Sequence, residues 1–232
     1  IYLYFIHQRT IAVVVGLIIT LLILCFMKKI PASAMLTIII PICFFLLGWK
    51  IKRLLINNVY LNGVQVGNND YSGQLGKIKF IFSKDGFVNL IYGLFSKLYY
   101  FNLSSFFLGA IGVLDILNEI ITNIYRKKTN LIDDKIYLYL FIFISFIFAF
   151  GIQVIFLIIP TRYDLVIYGR YIDYLCIFFI ISGLLALYKH EKKLYLWEIF
   201  IVSISFIGAF SAEKLFEKYQ LVYSKSYLSP AS

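Results

Sequence analysis

Residues 136–159 run for 24 positions without a charged side chain and stop at Pro160. A helix crossing the hydrocarbon core of a bilayer needs about 20 mostly apolar residues, because each residue rises only about 1.5 Å. A stretch this long and apolar is read first as a membrane span. The remainder of the chain agrees, since 61% of its 232 residues are hydrophobic and 15% are charged. Ordinary soluble domains are roughly 45–50% apolar and about 25% charged. A soluble fold of this size has too much exterior to wet with so few charges. Soluble enzymes, disordered tails, collagen and disulfide-rich secreted modules are excluded, which leaves an integral membrane protein.

Five further stretches read as spans: 11–27, 30–49, 99–121, 172–188 and 195–212, with a polar tail from Glu213 to Ser232. Pro41 predicts a kink in the second. The expectation is an all-α polytopic transmembrane helical bundle of about six spans, one region covering 1–232. A long extramembrane loop, 54–98, interrupts the pattern. Its first part carries Asn57, Asn58, Asn62, Asn68, Asn69 and Asp70 among glycines, which is turn chemistry. KIKFIF at 77–82 alternates like a short strand. In 85–97, Phe87, Leu90, Ile91, Leu94 and Phe95 share a helical face, predicting an interfacial or re-entrant helix along the head groups. Lys77, Lys79, Lys84 and Lys97 read there as anchors at the membrane surface, or as part of a phosphate or sugar surface.

The net charge of +10 is gathered in short clusters at the ends of apolar runs. That pattern points to a membrane lipid surface and not to nucleic acid. Placing loops 28–29, 125–135 and 189–193 in the cytoplasm puts nine basic residues in very short segments. Residues 54–98, 161–171 and the tail then share the outer side. Cys25, Cys43 and Cys176 lie in apolar stretches with no Cys-x-x-Cys spacing and read as packing residues. His7 and His190 form no ligand-like cluster, so neither a metal site nor a cofactor is expected. The richness in Ile, Phe, Tyr, Lys and Asn resembles an AT-rich bacterial genome, which would place the chain in a bacterial plasma membrane. A start at Ile1 without Met, directly before a span, reads as the later portion of a longer multi-pass protein.

The segment 160–174, PTRYDLVIYGRYIDY, concentrates two arginines, two aspartates and four tyrosines between two spans. The guanidinium group is a planar fork matched to phosphate oxygens. Arg170 precedes the fifth span, where free backbone N–H groups favour an anion. Arg162 and Arg170 are therefore candidate ligands of a lipid-borne phosphate, with Asp164, Tyr168, Tyr171 and Asp173 supporting them. The plainer account pairs Arg162 with Asp164 and Arg170 with Asp173 and leaves the tyrosines as an interfacial belt.

YGRYIDY after a long clean span, with RYD upstream, and the run GLFSKLYYFNLSSFFLGAIGVL at 93–114, resemble segments of bacterial GT-C type membrane glycosyltransferases. The two patches cover under a third of the chain. The resemblance implies sugar transfer from a polyprenyl-phosphate-linked donor on the outer face, in assembling cell-envelope glycans. The acidic catalytic element of that class lies in a first outer loop absent from this chain. No catalytic residue is assigned. A polysaccharide polymerase or ligase is the rival within the same chemistry.

A transporter or flippase is the rival from another class. Its working residues would be Asp115, Asn118 and Glu119, which with Asn123 fall on one helical face of the third span. Snorkelling to the inner interface, or pairing with Arg126, Lys127 and Lys128, is the cheaper explanation of that face. A third possibility is an assembly subunit whose charges are only anchors.

Overall fold

The computed structural model describes residues 11–43, 46–48, 50–51, 74–125, 135–156, 158–159, 166, 172–189 and 191–219, and the regular structure among them is helical. The principal α-helices are α1 (Ile11–Phe26), α2 (Gln74–Ile81), α3 (Lys84–Ser104), α4 (Leu108–Tyr125), α5 (Lys135–Phe156), α6 (Asp173–Lys189) and α7 (Glu191–Lys218). A short 3₁₀ helix, Ala32–Ile38, lies just ahead of Pro41, whose missing N–H interrupts regular helical bonding. The chain divides into two compact units, 1–73 with 116–152 and 74–115 with 153–232.

In the first unit α1 buries Ala12, Gly16, Thr20 and Leu24, an unbroken i, i+4 stripe of mostly small residues. Small residues let helix backbones approach closely where lipid offers no hydrophobic driving force. A Cβ at Gly16 would run into the Oγ of Ser145 on α5. Thr20 donates its hydroxyl to the carbonyl of Gly16 at 2.7 Å, so its own polar group is satisfied locally. α1 ends in a Schellman turn: the Lys29 N–H reaches the Leu24 carbonyl and the Lys28 N–H that of Cys25. Lys28 takes the left-handed conformation there, with φ 55°.

The second unit is organised around α3 and α7, which lie antiparallel. Asn89 meets Tyr219 and Asn102 meets Ser205. Between them a Cβ on Gly208 would strike the carbonyl of Phe95. Ser83 caps α3 by accepting from the Gly86 N–H at 3.0 Å, and Asp85 in the first turn suits the positive end of the helix dipole. α4 and α6 cross backbone to backbone: a Cβ on Gly112 would meet the carbonyl of Phe179, and one on Gly183 that of Leu108. Beside the crossing, Ile111, Ala186 and Ile201 are buried together with Phe107, Leu114 and Trp197.

Between α3 and α4 the chain bends by 107°. The Phe107 N–H bonds the Asn102 carbonyl at 2.7 Å and the Phe106 N–H that of Leu103 at 3.1 Å, again a Schellman closure. Phe106 and Phe107 both sit in the left-handed region, φ 50° and 64°, where a side chain costs on the order of 1–2 kcal/mol. The Phe106 side chain is 83% exposed and holds little packing. Phe106→Gly is therefore expected to stabilise the chain by about 1 kcal/mol, read as a higher unfolding midpoint in detergent.

Several sequence expectations change. KIKFIF is not a strand: its residues lie in α2 and the turn behind it. A lone strand with no partner leaves its N–H and C=O groups unpaired, whereas a helix satisfies its own. The helix expected at 85–97 and the span expected at 99–121 are instead one helix, α3, a break, and α4. The sixth span does not end at 212, since α7 runs on to Lys218. Among the described residues two stretches are long and apolar enough to cross a membrane, Lys135–Ile155 and Leu194–Lys218, or three if the bent α3–α4 pair is one span. Ile11–Phe26 and Leu36–Gly48 are apolar but shorter. This fits a helical membrane protein, with fewer full-length spans than the six expected.

Candidate functional site

The buried face of α3 is formed by Gly86, Asn89, Gly93, Ser96, Lys97, Phe101 and Asn102. Phe87, Ile91 and Leu94 point outward and are exposed. The helix thus turns its small and polar stripe inward and its apolar stripe outward. Such an arrangement suits a helix surrounded by lipid, where polar groups are sheltered by protein.

Each inward polar side chain with a described partner is satisfied by a distant element. Asn89, fully buried, donates its amide to the Ile158 carbonyl at 3.3 Å and to the Tyr219 hydroxyl, and accepts from Lys218 Nζ at 2.8 Å. Ser96 donates to the Val166 carbonyl at 2.9 Å and to that of Gly93 at 3.0 Å. Asn102 donates to the Ser205 hydroxyl at 2.8 Å. Lys97 is 1% exposed and is among the largest of the fully buried side chains in the described residues. Phe101, one turn on, packs edge-to-face on Phe179 with ring centroids 6.2 Å apart. Gln153 on α5 is also buried, and its neighbour Val154 touches the space over Gly93.

These bonds bear directly on the arginine-bearing connection. Arg162, Asp164, Tyr168, Arg170 and Tyr171 lie outside the described residues. Their described neighbours Ile158, Val166 and Ile172 are all buried in the second unit. Ile158 and Val166 are fastened to α3 seven residues apart, about 10 Å along the helix. Val166 also packs on Ala212 and Leu215, with Tyr92, Phe216 and Tyr219 around them. Asp173 opens α6 and is exposed. The bonds among Asn89, Ile158, Lys218 and Asp85 gather parts of two segments expected on one side, 54–98 and the tail, with the end of the fourth span, 136–159, next to loop 161–171.

The acidic face of α4 does not behave as one group. Asp115 is buried to 1% and accepts from the Ser182 hydroxyl at 2.8 Å. At that burial it does not snorkel to water, and the basic residues Arg126, Lys127 and Lys128 lie outside the described residues. Asn118 and Glu119 are half-buried, and the Glu119 carbonyl accepts from the Asn123 amide at 2.9 Å. Asp115 lies one turn from the crossing of α4 and α6 at Gly112 and Gly183, which brings Ser182 within reach of it.

Lys97 is a buried cation and not a surface anchor. Sequence reasoning passed over Asn89, which links α3, α7 and Ile158. The signal lay in the spacing of Gly86, Asn89, Gly93 and Ser96 at i, i+3, i+7 and i+10, a small-and-polar stripe opposite the apolar one. In the first unit the cavity ringed by Leu24, Met27, Lys29, Asn123, Ile136, Tyr137 and Leu140 holds about 10 Å³, room for one water at most. Among the described residues no three His, Cys, Asp or Glu side chains come together as metal ligands. Comparison with protein-family models, curated proteins and solved structures finds no match to this chain.

Proposed function

We propose that the chain is part of a bacterial integral membrane glycosyltransferase that takes sugar from a polyprenyl-phosphate-linked donor in cell-envelope glycan assembly. On this reading the long helices, the bent pair and the shorter apolar helices belong to a bundle of about six spans. Arg162 and Arg170 hold the carrier phosphate and stabilise the negative charge that develops on the leaving group as the glycosidic bond breaks. The observation that supports it is the double fastening of the arginine-bearing connection to α3, through Asn89 to Ile158 and Ser96 to Val166. The two anchors stand on either side of Arg162 in the chain, and Arg170 stands between the buried Val166 and Ile172; a site for a charged head group needs such fixed flanks.

The test is glycan output in cells carrying the variants. Arg162→Ala with Arg170→Ala is expected to abolish it, and Arg170→Lys to lower it at least tenfold, because a point charge does not replace a bidentate fork worth roughly 1.5–3 kcal/mol. Normal output from the double variant would sink the reading.

The buried Asp115 favours a second reading, a transporter in which the Asp115–Ser182 pair is a cation or proton site. Its discriminating result is loss of transport in Asp115→Asn together with full activity in Arg170→Lys.

A further inference from the structure

We propose that the corner between α2 and α3 is a membrane-interface anchor, in which Ile78, Phe82 and Phe87 enter the acyl boundary of a phospholipid leaflet while Lys79 and Lys84 meet its phosphates. The level of the corner is set by α7, whose membrane-length apolar stretch ends at Lys218. Lys218 Nζ donates to Asn89 Oδ1 at 2.8 Å and lies 3.5 Å from Asp85 Oδ1, both in the first two turns of α3. The start of α3 and the turn before it therefore stand where a spanning helix leaves the hydrocarbon. The corner is also pinned. Ser83 donates its hydroxyl to the Phe80 carbonyl at 2.7 Å and accepts from the Gly86 N–H at 3.0 Å. A Cβ at Gly86 would strike the Phe80 carbonyl, so the end of α2 lies directly against the first turn of α3.

What the corner turns outward is apolar and cationic. Phe82 is 86% exposed, Phe87 56% and Ile78 41%, and Lys79 and Lys84 are exposed beside them in the chain. Large apolar side chains left in water on a pinned turn forfeit their hydrophobic free energy. The boundary between head groups and acyl chains accepts them and puts the neighbouring lysines among phosphate oxygens. Asp85, next to Lys84, lies against Lys218, which offsets its charge. The interfacial role expected for 85–97 thus falls to 78–87, at the head of α3. The assignment rests on the membrane reading alone and holds whichever chemistry the chain performs.

The full chain, with Cys25, Cys43 and Cys176 replaced by alanine, carries a nitroxide on Phe82→Cys or Phe87→Cys in nanodiscs of phosphatidylglycerol and phosphatidylcholine. Collision with molecular oxygen, which concentrates in hydrocarbon, is compared with collision with a water-soluble nickel chelate. Glu217→Cys, at an exposed position in the last turn of α7, is the reference. The oxygen-to-nickel ratio is expected to be severalfold higher at both phenylalanine positions than at the Glu217 position. Adding Lys79→Glu with Lys84→Glu is expected to lower the ratio at the Phe82 position severalfold, because repulsion from lipid phosphates lifts the corner toward water. Nickel-dominated collisions at the Phe82 and Phe87 positions overturn the proposal by placing the corner in water. Weak collision with both reagents overturns it by placing a protein surface there. An unmoved ratio in the lysine double variant overturns the phosphate contact. Should the label disturb the corner, the Phe82 ring is followed by NMR in the native chain. Broadening by a nitroxide on the lipid acyl chain supports the proposal, and broadening only by a soluble gadolinium chelate ends it.

Discussion

Replacing Gly112 with valine is expected to prevent the second unit from assembling. The new Cβ would coincide with the Phe179 carbonyl and lie 2.9 Å from the Gly183 nitrogen. Both obstacles are backbone, so no side-chain rotation relieves them, and α4 and α6 must move apart. Overpacking of ordinary cores costs about 1–3 kcal/mol. Separation here also loosens the Asp115–Ser182 bond, about 1.5–3 kcal/mol for a charged acceptor, and the Phe101–Phe179 ring contact, about 0.5–1.5 kcal/mol. The combined loss of about 5 kcal/mol is comparable with the whole stability of many domains. The measurement is recovery of monodisperse protein from detergent extracts, with Gly151→Ala as the control. Nothing lies within 4 Å of a Cβ at Gly151, so that change is expected to be neutral or to stabilise by up to about 1 kcal/mol through helix propensity. Equal recovery of Gly112→Val and Gly151→Ala would show that the two backbones are not in contact.

Truncating Asn89 carries the second largest expected effect. One buried amide serves the Ile158 carbonyl, the Tyr219 hydroxyl and the Lys218 ammonium. Asn89→Ala removes all three partners at once. Lys218 is partly exposed and still has Asp85 at 3.5 Å, a surface pair worth under about 1 kcal/mol, so it can turn to water. The Ile158 carbonyl is enclosed and has no such escape. With about 1–3 kcal/mol for a buried group left without its partner, a loss of about 3 kcal/mol is expected, or roughly 6–12 °C in the unfolding midpoint for a chain of this size. Binding of a polyprenyl phosphate should weaken in the same variant at temperatures where it remains folded, because the flank of the arginine-bearing connection is freed. Unaltered binding would mean that the connection holds its shape without α3.

What was legible in the sequence followed from composition. Runs without charge implied helices, and 11–27, 136–159 and 172–188 lie within a few residues of α1, α5 and α6. Legibility failed on the inner side of α3, because the sequence reading rests on its apolar stripe, Phe87, Ile91 and Leu94, as the face of an interfacial or re-entrant helix. Here it faces out, while Asn89, Ser96 and Lys97 turn in, because among apolar surroundings it is the polar groups that seek protein. The α3–α4 break was unreadable for another reason: its left-handed positions carry phenylalanine and not glycine, so only the weaker signal of Ser104 and Ser105 marks it. Asp115 lay at the expected place on α4, but its partner Ser182 is 67 positions away, and no local pattern encodes a contact of that range.

The antiparallel pairing of α3 with α7 also sets the order of events during synthesis. Asn89 and Tyr219 are 130 positions apart, and a ribosome adding roughly 5–20 residues per second needs about 6–26 s to make the second after the first. Throughout that interval α3 has been made and the helix that covers its amides has not. The polar stripe must be sheltered meanwhile by the insertion machinery or by the helices already delivered, so completion of this unit waits on delivery of α7.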